Sequence, residues 1–120
     1  MSLDPYACKL LDDIYTSASR IVDRLQNETR EGFLATDGMD VQDIVARRLT
    51  IIGEAAAALL KKYPEFCEQY PDIPIRQARG MRNALVHDYD GIEWEIVWDT
   101  TQKELPALIA AIAPLLARKP

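Results

Sequence analysis

Histidine occurs once in this 120-residue chain, at position 87. A single chain therefore offers only one imidazole to any acid–base chemistry near neutral pH. Cysteine is nearly as scarce. Cys8 and Cys67 stand far apart and suit no zinc or redox spacing, so the expectation is two free thiols in a reducing cytoplasm and no bound metal or cofactor. No stretch is long and apolar enough for a membrane span, and nothing at the start reads as a signal peptide. No alternating apolar pattern of useful length exists, which argues against a sheet. Repeats and low-complexity tracts are also missing. Basic residues are outnumbered, 14 Lys and Arg against 19 Asp and Glu, for a net charge of −5. That balance argues against a protein that coats nucleic acid indiscriminately, but leaves room for a local basic site.

What the chain has is apolar residues at helical spacing. They make up 48% of it, enough for a core without metal or disulfide support in a single domain covering residues 1–120. In "DPYACKLLDDIYTSASRIVDRLQ", Asp4 has the chemistry of an N-cap and Pro5 that of the first helical position. Leu10, Leu11, Ile14, Ala18, Ile21, Val22 and Leu25 follow at helical intervals. "GFLATDG" reads as a connector. "DVQDIVARRLTIIGEAAAALLKKY" is a second helix, capped by Asp40 or a neighbour, with Val41, Ile44, Val45, Ile52, Ala55, Ala56, Leu59 and Leu60 as its apolar set. Gly53 within it costs about 1 kcal/mol relative to alanine, and close approach by another helix is the compensation expected. "YPEFCEQYPDIP" is a proline-bounded link with room for one helical turn. "IRQARGMRNALVH" is a third helix. "GIEWEIVWDTTQKELPALIAAIAPLLARK" is a fourth, preceded by Asp90 and Glu93 at capping-box spacing and interrupted by Pro106, which should kink or split it. The expected architecture is all-α, a four- to five-helix up-down bundle.

The lone histidine lies in "GMRNALVHDYDG", five residues after Arg82 and two before Tyr89. On one α-helix a separation of five turns Arg82 and His87 about 140° apart. A small target touched by both therefore needs a second surface: another helix of the chain, or the same helix of a second chain around a twofold axis. The second arrangement would supply two imidazoles and two guanidiniums to one groove. Metal-free cleavage of RNA asks for a base at the 2′-hydroxyl, an acid at the leaving 5′-oxygen and a cation for the phosphorane charge. A symmetric pair of His87 and Arg82 fits those roles. Arg76 and Arg79 share a band about 120° wide with Arg82 and are candidate RNA contacts.

Structural readings of the same residues stand beside this one. A histidine near a helix C-terminus favours the helix dipole. Arg82 has Glu54 and Asp88 as possible ion-pair partners, Glu54 alternatively orienting Arg82 in the site. The Tyr89 hydroxyl can serve as a hydrogen-bonding group across a cleft. Trp94 and Trp98, four apart on one helical face, suit core or interface more than base stacking. Arg47 and Arg48 suit a solvated face. Spacing alone does not choose between a ribonuclease, a non-catalytic partner subunit and a helical dimerisation module.

Arg82-Asn83-Ala84-Leu85-Val86-His87-Asp88-Tyr89 reads as R-x4-H-x-Y and resembles the signature of the HepT family, within the class of HEPN domains. "IIGEA", the "PDIP" link, "GMRNALVHDYDGI" and the following "VW" resemble that family in the same order, from about Tyr6 to the last helix. One departure is Ile75, where the family often has tryptophan. The resemblance implies a HEPN-like helical bundle, homodimeric, acting as a metal-independent ribonuclease toxin of a type VII-like toxin–antitoxin pair. It implies Arg82 and His87 as catalytic, Asn83 as site support, and a cytoplasmic setting. It further implies neutralisation by an MntA-like minimal nucleotidyltransferase antitoxin that adds AMP to the motif tyrosine, Tyr89. Proteins of this kind have also been regarded as substrate-binding partners of nucleotidyltransferases, the alternative reading.

Overall fold

The Asp4-Pro5 pair opens the first helix as its chemistry dictates. In the computed structural model, which describes residues 4–35, 39–86 and 91–116 (for 83, 84 and 86 the backbone alone), α1 spans Pro5–Leu25 and an Asp4 carboxylate oxygen accepts from the Tyr6 N–H at 2.9 Å. Of the apolar residues expected to face inward, all are buried except Val22, which is half-buried.

Next come α2, Arg30–Leu34; α3, Met39–Lys62; α4, Pro64–Gln69; α5, Ile75–Val86; and α6, Trp94–Ile112, which runs on into a 3-10 turn at Ala113–Leu116. Among the described residues there is no strand. The all-α expectation holds, with two short helices beside four longer ones.

Chain directions follow from contacts. The Tyr63 hydroxyl, just past the end of α3, donates to the Asp4 carboxylate at the start of α1, at 2.6 Å. Thus α1 and α3 run antiparallel. Residue 53 in mid-α3 meets residue 82 late in α5, while the end of α3 shares a groove with the start of α5, so these two are antiparallel as well. α3 is the central element, packed on α1 and α5, and α1 also packs on α6. The core shared by these helices includes the fully buried aliphatics Leu11, Ile14, Leu49, Ile52, Leu59, Leu105 and Leu108.

Five local expectations need correction. "GFLATDG" is not only a connector: its first three residues end α2, whose Phe33 is fully buried against Trp94 and Trp98, with ring centroids 6.0 and 5.4 Å away. Thr29 caps this five-residue helix, its hydroxyl accepting from Gly32 N–H at 3.0 Å, and Gln42 donates to the Phe33 carbonyl at 2.8 Å. Tertiary burial of one aromatic holds a helix too short to persist alone. α3 is described from Met39, so Asp40 sits inside its first turn rather than capping it; the neighbours at 36–38 that could cap it instead lie outside the described residues, and Ile44 is 42% exposed. α6 begins at Trp94 with Glu93 at the cap and no side-chain cap hydrogen bond, so the Asp90–Glu93 box does not start it. Pro106 lies inside α6, so of the two outcomes expected of it, a kink or a split, the split does not occur. Proline deprives the Gln102 carbonyl of its i+4 donor, yet Leu105 and Leu108 on either side are fully buried and hold the helix to the core. The chain instead tightens to 3-10 geometry at Ala113–Leu116, around Pro114. Trp98 is buried and Trp94 half-buried, in keeping with a packing role.

Candidate functional site

α5 carries an arginine on its apolar stripe. Ile75, Ala78 and Leu85 are buried, and helical geometry places residue 82 within their arc. Arg82 is correspondingly half-buried, whereas Arg76 and Arg79, further round the helix, are exposed. A guanidinium stem on a helix interface needs space opposite, and Gly53 supplies it. A Cβ added at Gly53 would lie 2.5 Å from Arg82 Cβ, 2.9 Å from its Cγ and 3.0 Å from its backbone nitrogen. Such separations are far inside the contact distance of carbon atoms, about 3.5–4.0 Å. The close helix approach expected from a glycine in mid-α3 is therefore present, and the partner residue is the motif arginine itself.

Beside this crossing lies a groove of about 650 Å³, walled by the second half of α3, by α4 with its proline-bounded link, and by α5. Arg76, Arg79 and Arg82 all line it, with Lys61 from α3 and Glu68 from α4. Four cations against one carboxylate make a locally positive surface on a chain of net charge −5. No carboxylate of a described residue pairs with any of these three arginines; the ion pairs among the described residues are Lys9–Asp13, Arg24–Glu28 and Arg30–Glu95. Among the described residues their charge has no carboxylate partner. Cys67 also lines the groove; burial pushes its thiol up from the ordinary value, with the Arg76 charge opposing. Thiolate chemistry there is correspondingly disfavoured.

Glu54 follows Gly53 on α3, is exposed, and makes no ion pair with Arg82. Arg47 is exposed and Arg48 half-buried on the same helix. The Asn83 side chain lies outside the described residues, as do His87, Asp88, Tyr89 and Asp90. His87 is the residue directly after Val86, the last of α5. Leu85, inside the motif, and Ile92, three residues past it, are both buried, each 7% exposed. Among the described residues no three His, Cys, Asp or Glu side chains converge where a metal ion could be held, and no helix is long and apolar enough to cross a membrane.

Sequence reasoning missed Lys61, Glu68 and the wall made by α4 and its link. Pro64, Pro71 and Pro74 were the available signal, since they bend the chain around the start of α5.

Among its described residues the chain is an all-α protein with a groove lined by three arginines, of which Arg82 opens the R-x4-H-x-Y segment of the sequence. The comparisons with known proteins give the family. A family model described as "Ribonuclease HepT-like" matches residues 14–115. "Putative RNase TTE0752" of Caldanaerobacter subterraneus subsp. tengcongensis is 32% identical over 109 residues, 91% of this chain and 93% of that protein. "Putative RNase MJ1216" of Methanocaldococcus jannaschii is 34% identical over 99 residues, 82% of this chain and 77% of the other. "Probable ribonuclease HepT" of Thermococcus cleftensis is 33% identical over 99 residues, 82% of this chain and 84% of the other. No solved structure matches the chain significantly. The chain belongs to the ribonuclease HepT-like family.

Proposed function

We propose that this protein is a metal-independent ribonuclease toxin, active as a homodimer, with Arg82 and His87 as its catalytic residues. The observation that carries the reading is the seat of Arg82: its stem is fixed against Gly53, and it lines a groove whose other cations have no carboxylate partner among the described residues. In the proposed reaction one His87 takes the proton of the 2′-hydroxyl as the 2′-oxygen attacks the phosphorus. The His87 of the second copy protonates the leaving 5′-oxygen, and Arg82 stabilises the phosphorane. The products are a 2′,3′-cyclic phosphate and a 5′-hydroxyl. Asn83 and Glu54 support the site, and Arg76 and Arg79 contact RNA.

The homodimer rests on the divergence of about 140° between positions 82 and 87 of one helix. Control falls to an MntA-like minimal nucleotidyltransferase, which transfers the α-phosphate of ATP, as AMP, to the Tyr89 hydroxyl with loss of pyrophosphate. Each adenylate adds negative charge beside Arg82 and competes with the substrate backbone. Expression of the wild type beside His87→Ala, with and without the cognate nucleotidyltransferase, tests the reading. Growth arrest by the wild type alone supports it; equal tolerance of both, together with stable binding of the nucleotidyltransferase, would favour a non-catalytic partner subunit.

A further inference from the structure

The basic groove extends well beyond Arg82, and its far end is not needed for proton transfer. Arg76 and Arg82 are six residues apart, a separation of about 9 Å along the axis of α5. At about 3.4 Å per nucleotide in a stacked strand, that distance matches two to three nucleotide steps, and so three to four successive phosphates. Lys61 faces them from α3. Its neighbour Lys62 points elsewhere, its ammonium lying 5.0 Å from the centroid of the Tyr6 ring. Of two consecutive lysines, one is thus committed to an aromatic contact and the other lines the groove. The site is a groove of about 650 Å³ walled by α3, α4 and α5, whereas a duplex presents a broad convex surface and is recognised across its wide minor groove.

We propose that this groove is a single-strand RNA track in which Lys61, Arg79 and Arg76 hold the phosphates that flank the one at Arg82. The proposal rests on the ribonuclease reading for the identity of the strand. It adds a residue from α3, a direction away from the motif along α5, and a selectivity for unpaired RNA. Glu68, the lone carboxylate of the groove, opposes binding and limits the affinity.

The test measures affinity for a short, unstructured, fluorescent oligoribonucleotide by anisotropy across a salt series, in the full-length His87→Ala protein so that no cleavage intervenes. Each cation that neutralises a phosphate of a single strand contributes about 0.7 to the slope of log K against log salt. Lys61→Gln should lower the slope by about 0.7 and the Lys61→Gln, Arg79→Gln pair by about 1.4. Lys61→Arg should keep the slope, Glu68→Gln should tighten binding, and Lys103→Gln on the exposed side of α6 should change nothing. A duplex of the same sequence should bind more weakly and respond less to the groove substitutions. Unchanged slopes in the groove variants overturn the proposal, and so does a duplex that binds as well and loses as much. If the variants keep their RNA slope but lose the nucleotidyltransferase, the groove is a protein-docking site and the proposal is wrong. Cleavage by the active protein is scored separately: its absence with the binding pattern intact would overturn the ribonuclease reading and leave the track standing.

Discussion

Gly53→Ala is the substitution whose outcome the structure fixes most sharply. Alanine is the better helix former by about 1 kcal/mol, so on propensity alone α3 should gain stability. The new methyl, however, would start 2.5 Å from Arg82 Cβ and 3.0 Å from the Arg82 backbone nitrogen. Neither atom is the free end of a flexible side chain, so relief requires α5 to move off α3 by roughly 1 Å, given normal carbon contacts near 3.5–4.0 Å. Overpacking of this kind costs about 1–3 kcal/mol or more. With the largest overlap on a backbone-rooted atom, the upper part of that range applies, and the net effect is a destabilisation on the order of 1–2 kcal/mol. For a chain of this size the melting temperature should fall by roughly 3–8 °C. Activity should fall further than stability, because a shift of about 1 Å at a catalytic group can cost about a hundredfold in rate. Gly80→Ala is the matched comparison: the same substitution on α5, into open space, should stabilise by up to about 1 kcal/mol. Thermal and urea denaturation of the two variants, with cleavage assayed under folding conditions, decides the matter. A Gly53→Ala protein as stable and active as Gly80→Ala would refute the close crossing and the positioning of Arg82 built on it.

Further outcomes follow from other contacts. Phe33→Ala empties the aromatic cluster with Trp94 and Trp98 and should cost about 3–5 kcal/mol by urea denaturation, out of proportion to the five residues of α2. The hydrogen bond to Asp4 pushes the Tyr63 hydroxyl up to about 12, from an ordinary value of 10.0. Its contribution to stability is complete below pH 10 and should be lost as the pH rises from 10 towards about 12. Asp4 is held below its usual value by the same Tyr63 bond and by the Tyr6 N–H, so its contribution is lost in acid, as the pH falls below about 3.8. Melting curves of wild type and Tyr63→Phe across pH should differ between these limits and converge in strong base. Tyr89→Phe should escape neutralisation by the nucleotidyltransferase with ATP and magnesium; peptide mass spectrometry that finds adenylate on Tyr6, Tyr15, Tyr63 or Tyr70 instead would move the switch elsewhere.

The long helices were legible because their signals are local. Asp4 and Pro5 mark a start, and the apolar residues of α1 and α3 recur at helical spacing. Gly53 was legible in kind: a costly residue in a helix implies a close neighbour, although only the structure names Arg82 as that neighbour. What escaped the sequence depends on tertiary contacts. Phe33 in "GFL" looks like one apolar residue in a polar turn until two tryptophans from α6, more than sixty residues away, close over it. Asp90 and Glu93 have capping spacing, but α6 starts at Trp94 beside the cluster that buries Trp98. Pro106 has the chemistry of a helix breaker, yet α6 runs through it as one helix with Leu105 and Leu108 buried in the core. The arginines were legible as a band on one helix. The groove was not, because its opposite wall comes from Lys61 and from the α4 link, which no periodicity joins to α5.

The central claim is that Arg82 and His87 cleave RNA without a metal ion. Its most direct test is the rate of cleavage of a single-stranded RNA by the purified protein in EDTA, wild type beside His87→Ala, with circular dichroism and sedimentation showing that both remain folded and equally associated. Cleavage by the wild type, ending in a 2′,3′-cyclic phosphate, is the expected result, with a loss of about a hundredfold or more in the variant. Cleavage by His87→Ala at the wild-type rate would contradict it.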